Sequence, residues 1–153
     1  MAPRSKNSSS PAPLEDRIFV ALLRAADFVG QEAEQLLKAK GLTGTQYNVL
    51  RILRGAEPGG LLCRGIGEAM ISHDPDITRL LDRMEKRGLI TRERQTDDRR
   101  VIKTRVTPEG LGILKNLDQP VHEMHQRQFR HMSSAKLKML GELLDEVIAR
   151  KLE

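Results

Sequence analysis

One stretch, Asp74 to Thr107 (DPDITRLLDRMEKRGLITRERQTDDRRVIKTRVT), leaves the chain few folds to choose from. Ile77, Leu80, Leu81 and Met84 recur at i, i+3, i+4 and i+7, which is the apolar stripe of one amphipathic helix. At about 100° per residue, Arg79, Asp82 and Lys86 fall on the opposite, wet face, with Arg83 on its flank. Asp74-Pro75 is a start signal, a side-chain acceptor followed by a residue with no amide hydrogen, and Gly88 is the stop. Leu89–Arg94 and Val101–Val106 are then strand candidates on either side of the polar turn Gln95–Arg100. An arginine-faced helix followed by an arginine-tipped hairpin can grip a polyanion in two places.

The charge balance points the same way. The chain has 153 residues and a formal charge of +5. Ten basic and five acidic residues lie between Arg79 and Arg105, so this window carries the whole excess and the remainder is neutral. A basic patch of this kind on an otherwise balanced chain is the electrostatic footprint of a nucleic-acid partner. The length suits one domain with a real core. The single cysteine, Cys63, excludes an intramolecular disulfide and agrees with a reducing compartment. No apolar run approaches the roughly 20 residues that span a bilayer, and the N-terminus lacks an apolar signal core. The expectation is a soluble cytoplasmic protein, with no membrane partner and no cofactor.

Taken in order, residues 1–13 (MAPRSKNSSSPAP) read as a disordered tail. Glu15 to about Lys40 reads as a long helix whose apolar face is too wide for a single neighbour. A second helix spans about Thr45–Gly55, with Tyr47, Val49, Leu50, Ile52 and Leu53 turned inward, and Leu61-Leu62 reads as a short edge strand. Cys63–Met70 makes a short third helix, weakened by Gly65 and Gly67. This short helix, a linking turn and the Asp74 helix form a helix-turn-helix, and the hairpin is its wing. Thr107-Pro108 opens a helix running to about His131, with Pro120 a kink, and Ser133 caps the last helix. The outer three helices have more apolar face than the head can cover, and two copies would bury it by pooling.

With that order in place, the chain resembles the MarR family of bacterial transcription regulators. The resemblance rests on Gly65–Met70, on Asp76–Ile90, and on the wing from Asp98-Arg99-Arg100-Val101 to Val106-Thr107-Pro108-Glu109-Gly110. It extends from about Glu15 to the C-terminus. It implies a mainly α fold with a small β-wing, a winged helix-turn-helix head (43–107) flanked by dimerisation helices (14–40 and 108–153). It also implies a homodimer on a pseudo-palindromic operator in double-stranded DNA, with the Asp74 helix in the major groove and Arg100 in the flanking minor groove. Asp98 would orient the wing arginine through a charge-assisted bond. Many relatives are repressors that release DNA on binding a small aromatic or phenolic effector, in a pocket between the head and the dimer helices.

The candidate DNA contacts are therefore Arg79, Arg83, Thr78, Ser72, Lys86, Arg99 and Arg100. Tyr47, Asn48, Arg51, Arg24 and Asp27 are candidate lining for the effector pocket. His122 and His125, at i and i+3, with Glu123 adjacent and His131 later, raise a zinc-responsive alternative, although no cysteine or acid is placed as a third ligand and exposed helix histidines are the better reading. A third reading, a helical interaction module that binds no DNA, fits the basic wing poorly. Cys63 reads as a bland packed thiol in preference to a redox switch. No nucleophile-base pair or phosphate-cradling loop suggests an enzyme.

Overall fold

A computed structural model describes residues 12–72, 74–95 and 101–149. The elements are α1 (Leu14–Lys38), α2 (Gly44–Gly55), β1 (Leu61–Leu62), α3 (Cys63–Ala69), α4 (Ile77–Lys86), β2 (Ile90–Arg94), β3 (Ile102–Val106), α5 (Pro108–Phe129) and α6 (Ser134–Ala149). The three strands make one antiparallel sheet in the order β1-β3-β2. In it Ile90 stands opposite Val106, Arg92 opposite Thr104 and Arg94 opposite Ile102. This is the expected winged helix-turn-helix. The 1–13 tail falls outside the described residues except for Ala12 and Pro13, and so do Asp98, Arg99 and Arg100 of the wing.

Local chemistry sets the boundaries. Thr43 Oγ1 accepts from the Gln46 amide while Gln46 Oε1 accepts from the Thr43 amide, a reciprocal cap that starts α2. Helix α1 ends two residues earlier than expected. Gly41, at φ 69°, donates to the Lys38 carbonyl and Leu42 donates to that of Leu37, so a left-handed glycine closes the helix. Gly88, at φ 72°, repeats the device after α4, with its amide on Glu85 and that of Leu89 on Met84. The start of α4 differs from the sequence expectation. Asp76 caps the helix by accepting from the Arg79 amide, whereas Asp74 accepts from the Asp76 amide and tightens the preceding turn. Helix α5 runs through Pro120 without ending.

The core lies inside the head and along α5 as far as Met124, joined by Leu37 at the end of α1. Leu50, Leu53, Ile66, Leu81, Met84, Leu89, Ile90, Leu114 and Leu117 are all buried. Each such side chain stabilises the fold by about 1.5–3 kcal/mol through burial. Cys63 is half-buried and packs against this cluster. The outer helices are the opposite case. On α1 only Leu37 is buried, and on α6 no described residue is. Leu14, Ile18, Phe19, Leu23 and Phe28 on α1, with Met139, Leu143, Val147 and Ile148 on α6, stand exposed. No helix among the described residues is long and apolar enough to cross a membrane.

Candidate nucleic-acid interface

The apolar stripe of α4 decides which of its side chains face water. Leu80, Leu81 and Met84 are buried in the core, which turns Thr78, Arg79, Arg83 and Lys86 outward, all exposed. Arg79 Nε lies 3.2 Å from Asp76 Oδ2, an exposed pair one turn apart that leaves the arginine free to exchange partners. Ser72, in the turn before α4, is exposed as well. Five of the seven expected DNA contacts are thus exposed, with Arg79, Arg83 and Lys86 on one face of α4. The other two, Arg99 and Arg100, lie outside the described residues, as does Asp98.

Not every cation of the basic window faces outward. Arg92 on β2 points back at α4, where its Nη2 donates to Asp82 Oδ1 at 2.6 Å and to Glu85 Oε2 at 2.6 Å. Its Nε donates to Glu85 Oε2 at 2.9 Å, and its backbone amide to Glu85 Oε1 at 3.1 Å. The hydrogen bond to Glu85 pushes the Arg92 pKa above its usual value, so the charge is permanent. One arginine therefore locks the hairpin onto α4 and neutralises two carboxylates that would otherwise repel phosphate. Arg87, though exposed, is engaged by a neutral partner: its Nη1 donates to Gln46 Oε1 at 3.1 Å, tying the end of α4 to the start of α2.

Arg92→Ala removes these charge-assisted bonds and uncovers Asp82 and Glu85. Operator affinity is expected to fall about tenfold, in line with roughly 1.5–3 kcal/mol for a hydrogen bond to a charged group. Restoration by the triple change with Asp82→Asn and Glu85→Gln, measured by fluorescence anisotropy, would separate charge exposure from the loss of the lock.

Arg94 is a residue that sequence reasoning passed over. It follows Arg92 on the same strand face, because side chains alternate along a strand, and it is exposed with no ion-pair partner among the described residues. Arg79, Arg83 and Lys86 on α4 and Arg94 at the end of β2 are thus the exposed cations of these two elements that no carboxylate of another element holds among the described residues.

The effector-pocket candidates divide. Tyr47, Asn48 and Arg51 share a cleft of about 360 Å³ with Gly44, Ile52 and Ile71. Within the single chain Arg24 and Asp27, both on α1, do not line it. Arg24 borders a separate hollow with Asp16 and Arg17, and Asp27 accepts from Gln31. His122 and His125 border a smaller hollow, beside Tyr47, Arg51, Arg54 and Asp118. Asp118, one turn before His122, is held by both oxygens on Arg54 Nη1, at 3.0 and 2.9 Å. Among the described residues no three metal-ligating side chains converge.

The family model described as MarR family matches residues 42–102, which is the head as far as the start of β3. The HTH-type transcriptional repressor IacR of Pseudomonas putida is 31% identical over 91% of this chain and 81% of its own length. The crystal structure of a MarR transcription factor from Planctomyces limnophilus is 35% identical, with a TM-score of 0.68 over 87% of this chain and 96% of that one. CouR from Rhodococcus jostii RHA1, solved with p-coumaroyl-CoA bound, is 26% identical, with a TM-score of 0.76 over 93% and 99%.

Proposed function

This chain belongs to the MarR family of transcription regulators, and from that premise we propose that it is a ligand-relieved repressor that grips a pseudo-palindromic operator as a homodimer. The outward row Arg79, Arg83 and Lys86 on α4 carries this reading, since a winged-helix head offers that helix to the major groove. Thr78, Ser72 and Arg94 add phosphate contacts beside it. Arg99 and Arg100, oriented by Asp98, extend the grip to the neighbouring groove. Residues 43–107 form the head. Segments 14–40 and 108–153 form the dimer body, for which the bare apolar faces of α1 and α6 are suited. The protein acts in the cytoplasm, where its DNA is.

Effector relief is supported by the cleft at Tyr47, Asn48 and Arg51, which offers an aromatic wall and a cation. The phenolic acyl group carried by the CouR ligand fits a site of that character. Arg24 and Asp27 would join such a pocket from α1.

Selection of bound duplexes from a random pool tests the function, and failure to enrich any sequence in dilute buffer would reject it. On the selected operator, Arg79→Ala is expected to cost about 1–3 kcal/mol and to relax preference at one base position in each half-site. Equal binding of variant and wild type to specific and scrambled DNA would remove Arg79 from base readout.

A further inference from the structure

Helix α4 is tethered to α2 at both ends. At its C-terminal end Arg87 donates to Gln46 Oε1. Ahead of its N-terminal end, the backbone amide of Ile71 donates to Asn48 Oδ1 at 2.9 Å. Gln46 is buried within the reciprocal cap, so the first tether is shielded. Both members of the second tether line the 360 Å³ cleft, so anything that enters the cleft meets it.

The other walls say what would enter. The Arg51 guanidinium carbon sits 5.9 Å from the centre of the Tyr47 ring, within cation–π range. Arg51 is exposed and has no carboxylate partner among the described residues. Ile71 is 89% exposed, an apolar side chain left in water at the mouth, and Ile52 is half-buried beside it. A cation over an aromatic wall, with aliphatic groups opposite and one side-chain amide, suits a small planar carboxylic acid.

We infer, resting on the ligand-relieved reading above, that a planar carboxylic acid binds this cleft through Arg51 and Tyr47 and signals by drawing Asn48 away from the Ile71 amide. Residues 70–72, ahead of α4, then loosen while the Gln46–Arg87 tether holds, so α4 pivots about its C-terminal end and its groove-reading residues leave register. Linkage makes the effect reciprocal: operator binding, which needs the tether, weakens the acid by the same factor.

The chain has one tyrosine and no tryptophan, so tyrosine emission reports this cleft and the adjoining hollow beside His122, and the Asn48 variants, at a residue that borders the cleft and not that hollow, tell the two apart. With the full-length protein, benzoate and phenylacetate serve as probes, titrated with and without saturating operator duplex. In the wild type, each probe is expected to bind about tenfold more weakly when operator is bound. Asn48→Leu, which cannot accept the Ile71 hydrogen, should bring that ratio close to one while binding the probes at least as tightly as the free wild type. Asn48→Asp keeps the acceptor and should restore the ratio. Asn48→Ser, too short to reach, gives the same comparison should the leucine variant fail to fold. A wild-type ratio in both Asn48→Leu and Asn48→Ser overturns the tether while leaving effector relief intact. If the probes leave wild-type tyrosine emission unchanged, or bind Arg51→Gln equally well, the cleft falls as the acid site. Tight probe binding with a wild-type ratio of one would overturn ligand relief through this cleft.

Discussion

Raising monovalent salt from about 50 to 200 mM is expected to weaken operator binding by roughly a thousandfold or more, because each phosphate neutralised releases condensed counterions. One protomer exposes Arg83, Lys86 and Arg94 to solvent, besides Arg79. In a dimer this reaches the range of about six to ten contacts for which such losses are typical, before the wing tips are counted. Arg83→Ala, acting in both protomers, should reduce the slope of log affinity against log salt by about two. Arg87→Ala removes an equal charge and should leave that slope unchanged, since this arginine is engaged by Gln46. A wild-type slope near zero would reject groove binding by this surface. An Arg87 variant with the slope of Arg83→Ala would show that formal charge alone governs affinity.

The largest effect on stability is expected from Gly110→Ala. Gly110 is buried in the first turn of α5, where its amide donates to the capping Thr107 Oγ1 at 3.1 Å. An added Cβ would meet the Leu89 carbonyl oxygen at 2.5 Å, Val106 Cγ2 at 2.9 Å and Leu50 Cδ2 at 3.3 Å. The first of these is backbone, fixed by the turn that closes α4, so it cannot swing aside as a flexible side chain would. Overpacking of this kind costs about 1–3 kcal/mol, and the rigid contact puts Gly110 at the upper end or beyond. Gly112→Ala, two residues on, is the control. Its Cβ has open space around it, and alanine inside a helix gains roughly 0.5–1 kcal/mol over glycine. Urea unfolding of the two variants should move in opposite directions. Equal shifts would mean that the close approach of α5 to Leu89 does not constrain the fold.

Features written in local periodicity were legible in the sequence. The stripe Ile77, Leu80, Leu81 and Met84 fixes the outward face of α4, and the Gly88 stop and the Thr107 cap behave as their chemistry dictates. Asp74 and Asp76 show where local reading loses resolution. Two equally good acceptors flank one proline, and only the turn geometry decides that the second caps the helix. Long-range pairings were not legible at all. The window's ten basic residues look alike in a count, yet Arg92 is held by carboxylates on another element and Arg87, though exposed, is bonded to a glutamine 41 residues away. The Asn48–Ile71 bond, spanning 23 residues, has no sequence signature either. The wing contacts of Arg99 and Arg100 rest on the family resemblance.

The separation between bare outer helices and reading head has a genetic consequence. On the proposed assembly, chains pair through α1 and α6, whose exposed apolar residues lie on elements other than Arg79 and Arg83. An allele altered only at those arginines would still make partners for the normal chain, and each mixed pair would hold one half-site and lose the other. In a cell carrying both alleles the faulty product would therefore be dominant, disarming sound copies by joining them.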